Sequence, residues 1–190
     1  IVKTGDERSP DTSYTEYLSQ DSKNVPEFMV QETYDYLGSE DIDTSRYISR
    51  DFFEKEKECM WTRVWQFACR VEDIPEVGDS LVYDILDWSF LIVRSEKEKI
   101  QAFYNSCLHR GRRIKTERGF GKDLTCPFHG FCWNLDGSLK HTPAPWDFAH
   151  LKDREFNLPQ VRVEIWEGFV FINMDDNAVT LEEYLAPIPE

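Results

Sequence analysis

Basic charge is what this sequence lacks most: 22 lysines and arginines face 36 aspartates and glutamates, a net charge of −14. That deficit argues against nucleic acid or an anionic membrane surface as a partner. Long apolar runs are missing too. None approaches the roughly 20 residues that a membrane-crossing helix needs, and the opening IVKTGDERSPDTSYTEY has no signal-peptide stretch. The first residue is not Met, so the true N-terminus is expected upstream. Cysteine is odd in number and irregular in spacing: Cys59, Cys69, Cys107, Cys126 and Cys132. This disfavours a disulfide scaffold and leads us to expect a reducing, cytoplasmic setting with thiols free for metal. Histidine is scarce, with four in 190 residues. Repeats and low-complexity tracts are absent.

What is present suffices for a core. Hydrophobic residues make up 41% and aromatics 14%, the balance of a globular protein rather than a disordered one. The charge is unevenly spread. Residues 1–60 carry 7 basic and 15 acidic side chains, whereas 107–122 reverse the sign. There Arg110, Arg112, Arg113, Lys115, Arg118 and Lys122 oppose only Glu117. Such a reversal marks a docking face or compensates a nearby anionic group.

Periodicity outlines the elements. A short helix is expected around 27–37, and Ser49 is placed to cap another over 50–66. In the latter Phe53, Met60, Trp61, Val64 and Trp65 share a core-facing side. From Trp65 onward the pattern is of strands. Strands over 80–86 and 89–94 flank a turn at Asp87-Trp88, another spans 99–105, and 161–174 reads as a hairpin about Glu167-Gly168. Between the hairpins lies 107–158, rich in Gly, Pro, Cys, His and Trp. A loop-rich insertion held by small antiparallel sheets is where a metal site is built rigidly. Cys59 and Cys69 are expected in the core, Cys132 packed near the site, and His141 and His150 in polar loops.

The chemistry concentrates in Cys107-Leu-His109 and Cys126-Pro-Phe-His129, the pattern C-x-H-x16-C-x2-H. Two thiols and two imidazoles are ligands for soft and borderline metals. Each cluster places Cys first, His two or three residues later and Gly close behind, at Gly111 and Gly130. Paired loops of this kind would approach a metal centre from both sides. A structural zinc site also accepts two Cys and two His. Its usual spacing, however, groups C-x2–4-C apart from H-x3–5-H, and here Cys and His are mixed within each cluster.

CLHRG and CPFHG resemble the ligand loops of Rieske proteins, and among these the aromatic-ring-hydroxylating oxygenase α subunits. HTPAPWD at 141–147 resembles the family's Pro-containing third loop, and WNLDGSL at 133–139 the turn after the second ligand loop. Where that family usually has Trp after the second His-Gly, this chain has Phe131. The resemblance implies a mainly β Rieske fold of small antiparallel sheets with a cluster-binding loop subdomain, preceded by an N-terminal helical segment. It implies a [2Fe–2S] cluster with Cys107 and Cys126 on one iron and His109 and His129 on the other. Trp133 and Trp146 would shield it from water.

The same resemblance implies an N-terminal arm over 1–45, a Rieske domain over 46–176 and a linker over 177–190, leading toward a missing catalytic domain with a mononuclear Fe(II). Electrons would come from a reductase or ferredoxin. They would pass to that iron in a neighbouring subunit of a trimer-type homo-oligomer, and the full-length parent would be a mono- or dioxygenase. A free-standing Rieske ferredoxin and a zinc-stabilised interaction module are the two alternatives.

Overall fold

The computed structural model describes residues 14–21, 24–30, 40–151 and 154–188. The chain divides into two compact units, 1–48 and 49–190. Among its described residues the first carries three short helices, α1 (Tyr14–Ser19), α2 (Glu27–Val30) and α3 (Ser45–Ile48). Of the helix expected around 27–37, α2 is the described part; 31–37 lies outside the described residues.

The second unit is mainly β. It opens with α4 (Arg50–Glu56), whose N-terminus is capped as its sequence demands: the Ser49 hydroxyl accepts the Phe52 N–H at 3.2 Å. The single helix expected over 50–66 is not formed. After Glu56 the chain widens into a π-turn at Lys57–Trp61 and leaves helical geometry before Gln66. The extra residue in that turn shifts the register, and Cys59, expected in the core, is exposed.

Among the described residues ten strands follow: β1 (Gln66–Arg70), β2 (Asp79–Ile85), β3 (Trp88–Glu96), β4 (Lys99–Tyr104), β5 (Gly119–Phe120), β6 (Leu124–Thr125), β7 (Cys132–Trp133), β8 (Leu139–His141), β9 (Gln160–Trp166) and β10 (Phe169–Asn173). They form a seven-stranded antiparallel sheet, β1-β10-β9-β4-β3-β2-β5, and a three-stranded one, β6-β7-β8. A short helix, α5 (Leu181–Leu185), comes last and is capped by Thr180. The β9–β10 hairpin turns where expected. Glu167 and Gly168 both take positive φ, +47° and +81°, the geometry that matches strand twist in two-residue hairpins. The β2–β3 turn falls one residue earlier than expected, at Leu86-Asp87, which frees Trp88 to start β3.

β3 explains how this sheet serves a site. Phe90, Leu91, Ile92 and Val93 are all fully buried, because a central strand covered on both faces needs an unbroken apolar run. Leu91 and Val93 point into a core shared with Phe103, Cys107, Ile114, Leu124, Cys126, Phe131 and Trp133. Phe90 and Ile92 point into a second core with Cys69, Ile74, Val170 and Ile172. Insertion 105–159, which connects β4 to β9, therefore rests on one face of the large sheet.

Candidate metal centre

Two loops with the same backbone build the site. In the first, the Cys107 N–H donates to Arg112 O at 2.8 Å and the Gly111 N–H donates back to Cys107 O at 2.8 Å. In the second, Cys126 N–H donates to Phe131 O at 2.8 Å and Gly130 N–H to Cys126 O at 3.1 Å. Gly111 and Gly130 close the loops with φ of +70° and +79°, where a Cβ would be strained. The sequence predicted four site residues, and the fold gathers all four. Cys107 and Cys126 are buried in the same core cluster, and the His109 and His129 rings meet edge to face with centroids 4.8 Å apart.

Electrostatics separates the thiols from the imidazoles. Burial pushes the Cys107 thiol pKa up; the backbone N–H groups of His109 and Arg110, directed at its sulfur, pull it down, and the neighbouring Cys126 thiol adds to the rise. Donors aimed at a buried sulfur favour its thiolate. The His109 pKa is lowered, first by burial and then by the neighbouring His129 and Arg110 charges. Its Nδ1 is buried and has no hydrogen-bond partner. Leaving a buried polar nitrogen unsatisfied costs about 1–3 kcal/mol, a cost that coordination to a metal removes. The donor set and this orphaned nitrogen fit a soft-metal centre. Among the described residues no three His, Cys, Asp or Glu side chains are arranged around a single ion.

The Rieske [2Fe–2S] domain family matches residues 64–158. This chain belongs to it. Its relatives include the α subunit of 2-aminobenzenesulfonate 2,3-dioxygenase from Alcaligenes sp, 34% identical over 76% of this chain and 38% of the relative. The carnitine monooxygenase oxygenase subunit from Escherichia coli (strain K12) is 34% identical over 73% of this chain and 37% of its own length. Among solved structures, the quaternary ammonium Rieske monooxygenase CntA in complex with L-carnitine superposes with a TM-score of 0.69 at 30% identity, covering 75% of this chain and 41% of that one. The chain therefore spans about two fifths of the length of each of these three proteins.

Aromatic side chains wall this candidate site, and not all were foreseen. Phe131 stacks on His109 with centroids 4.7 Å apart, and Phe148 meets both rings edge-on, at 5.7 Å from His109 and 5.1 Å from Phe131. Trp133 is fully buried behind them, its Nε1 donating to Phe156 O at 2.9 Å. Trp146 does not share that task, contrary to expectation. It is 77% exposed, because Ala144 takes a positive φ of +46° and the turn 144–147 carries the indole outward. The third loop covers His109 through Phe148 instead. The Phe that directly follows the HTPAPWD stretch is the signal that would have found it. Cys132 is buried as expected, its Sγ 3.2 Å from Thr125 Oγ1. His141 and His150 are exposed.

An open groove flanks the two ligand loops. About 400 Å³ is enclosed by Arg112, Ile114, Lys115, Thr116, Glu117, Arg118, Gly119 and Pro127, and an adjoining hollow is lined by Arg112, Pro127 and Phe128. Arg113 pairs with Asp84 at 2.8 Å. No ion pair engages Arg110, Arg112, Lys115 or Arg118 among the described residues.

Proposed function

We propose that this chain is the electron-transfer part of a ring-hydroxylating oxygenase α subunit. Cys107 and Cys126 would hold one iron of a [2Fe–2S] cluster through Sγ. His109, through Nδ1, and His129 would hold the other. When bound, a cluster ligated in this way supplies one-electron transfer at roughly −150 to +300 mV, against roughly −400 mV for plant-type ferredoxins. The observation that carries the reading is the buried, unpartnered His109 Nδ1, on a ring stacked against Phe131 of the core that holds both Cys thiols.

The chain's own residues divide the work. The N–H groups of His109 and Arg110 stabilise the Cys107 thiolate, while Phe131 and Phe148 keep water from one face and one edge of His109. His129 stands exposed, so redox partners reach the site from the imidazole side. The groove with its unpaired cations, in a chain of net charge −14, suits an acidic donor such as a ferredoxin or reductase. In the full-length parent the electron would go on to a mononuclear Fe(II) in a neighbouring subunit of a trimer-type assembly, in the cytoplasm. The domain bounds 1–45, 46–176 and 177–190 go with this reading. Relatives named for aminobenzenesulfonate and for carnitine share this part of the chain, which puts substrate choice elsewhere in the protein.

Iron and acid-labile sulfide content, with an EPR spectrum after dithionite reduction, tests the proposal. Two irons and two sulfides per chain with a Rieske-type signal are expected. Zinc alone, or an unchanged spectrum after His109→Cys, would refute it.

A further inference from the structure

The two ligand loops have the same internal hydrogen bonds but different foundations. The second rises from a β-ladder, in which Leu124 pairs with Trp133 and Thr125 with Cys132 on either side of Cys126–Phe131. The first has no ladder beneath it. β4 ends at Tyr104, and the chain returning from Arg112 forms no strand before Gly119. One side chain spans that gap. Asn105 is 2% exposed, and its Oδ1 accepts the backbone N–H groups of Ile114 at 2.9 Å and Lys115 at 3.1 Å. Its Nδ2 donates to Lys115 O at 2.8 Å and to Ser89 Oγ at 3.1 Å. The Asn105 N–H donates to Ser89 O at 2.8 Å. Both Nδ2 hydrogens and both Oδ1 lone pairs are thus used, which a buried primary amide achieves only when its surroundings are built for it.

We propose that Asn105 is a positioning residue for the first ligand pair, substituting for the missing ladder by tying the two ends of the 105–115 loop to each other and to β3. The consequence is specific to one loop. Asn105 sets the path of residues 107–112, and with it the aim of the His109 and Arg110 N–H groups at the Cys107 sulfur. It also sets the placement of His109 Nδ1. Asp cannot donate to Lys115 O or Ser89 Oγ and would face the carbonyl as an anion, and Ala leaves the buried Ile114 N–H and the half-buried Lys115 N–H and carbonyl without this partner. The inference rests on the proposed cluster ligation above.

The test compares Asn105→Ala and the isosteric Asn105→Asp with Asn173→Ala in the same 190-residue chain. Asn173 is equally buried, but its side chain bonds Arg63 O and the Asp175 N–H, outside both ligand loops. The readouts are cluster content, EPR g-values, midpoint potential and thermal midpoint. All three variants should melt earlier than wild type. Only the Asn105 variants should shift the g-values and the potential and lose cluster several-fold faster on dilution into chelator. Wild-type spectra and potential in both Asn105 variants would overturn the proposal alone, as would equal shifts in Asn173→Ala. Loss of the β-sheet circular-dichroism signal in both Asn105 variants would overturn it too, by making Asn105 a folding residue. A wild-type chain without a two-iron signal would overturn the cluster reading and this inference with it.

Discussion

At the scale of single residues, the four candidate ligands stand out in the sequence because Cys and His are rare in this chain and their spacing repeats. Residues that act through shape were not. Phe131 and Phe148 are two of thirteen phenylalanines, and nothing in periodicity marks the two that touch His109. Asn105 is equally silent, since a fully bonded buried amide and a solvated one look alike in sequence. Gly137 belongs to the same class, and its role can be measured. Its φ is +83°, and a Cβ added there would stand 2.3 Å from Phe103 Cε1, with Phe103 itself fully buried in the core that holds the Cys thiols. The aromatic ring cannot withdraw without displacing that core. Gly137→Ala should therefore destabilise the chain by about 2–4 kcal/mol, combining backbone strain with overpacking. Denaturant unfolding of the variant against wild type checks this, and a change below about 0.5 kcal/mol would mean that the core yields more readily than its packing indicates.

At the scale of elements, the longer hairpins read well from the sequence because alternation and turn chemistry are local. β9–β10 appears nearly as expected, with its turn on the expected pair of residues. The π-turn at Lys57–Trp61 and the two-residue strands β5, β6 and β7 were not legible. Elements that short carry no period and exist only through their partners. The small sheet shows how such an element is held. Asp123 accepts from Thr125 Oγ1 at 2.8 Å and from Lys140 Nζ at 3.1 Å, which links the start of β6 to β8. These contacts, the Thr125 hydroxyl first and the Lys140 ammonium next, hold the Asp123 carboxyl below the usual range. A depressed carboxylate contributes stability that is present above its unfolded pKa and lost as the pH falls through the folded one. Stability should thus decline below about pH 4, and Asp123→Asn should remove part of that slope. At neutral pH the variant should lose roughly 0.5 kcal/mol, the modest value of a partly exposed pair. Equal losses for variant and wild type between pH 7 and pH 3 would show that Asp123 is not linked to folding.

At the scale of the whole molecule, the surprise in the sequence was a basic stretch inside an acidic chain, and the fold gives it a place. The stretch starts at the first ligand loop, and Arg112, Lys115 and Arg118 line a groove that Pro127 of the second loop also borders. The charge reversal was read from composition alone. That it opens beside both loops could not be, because Pro127 joins it only through tertiary packing. Concentrating unpaired cations beside the proposed cluster affects encounter more than affinity, since complementary charge acts over about a Debye length and raises association rates by roughly 10- to 1,000-fold. Arg112→Glu with Arg118→Glu reverses two lining charges without touching a candidate ligand; the Arg112 contact to Cys107 runs through its backbone carbonyl. The pair should slow second-order reduction by an acidic ferredoxin or reductase about tenfold or more at low salt. The slope of log rate against ionic strength should flatten, and the rates of variant and wild type should converge near 0.5 M salt. Stopped-flow reduction across a salt series measures all three. A double variant that keeps both the wild-type rate and the wild-type salt slope would show that donors approach this chain by another face.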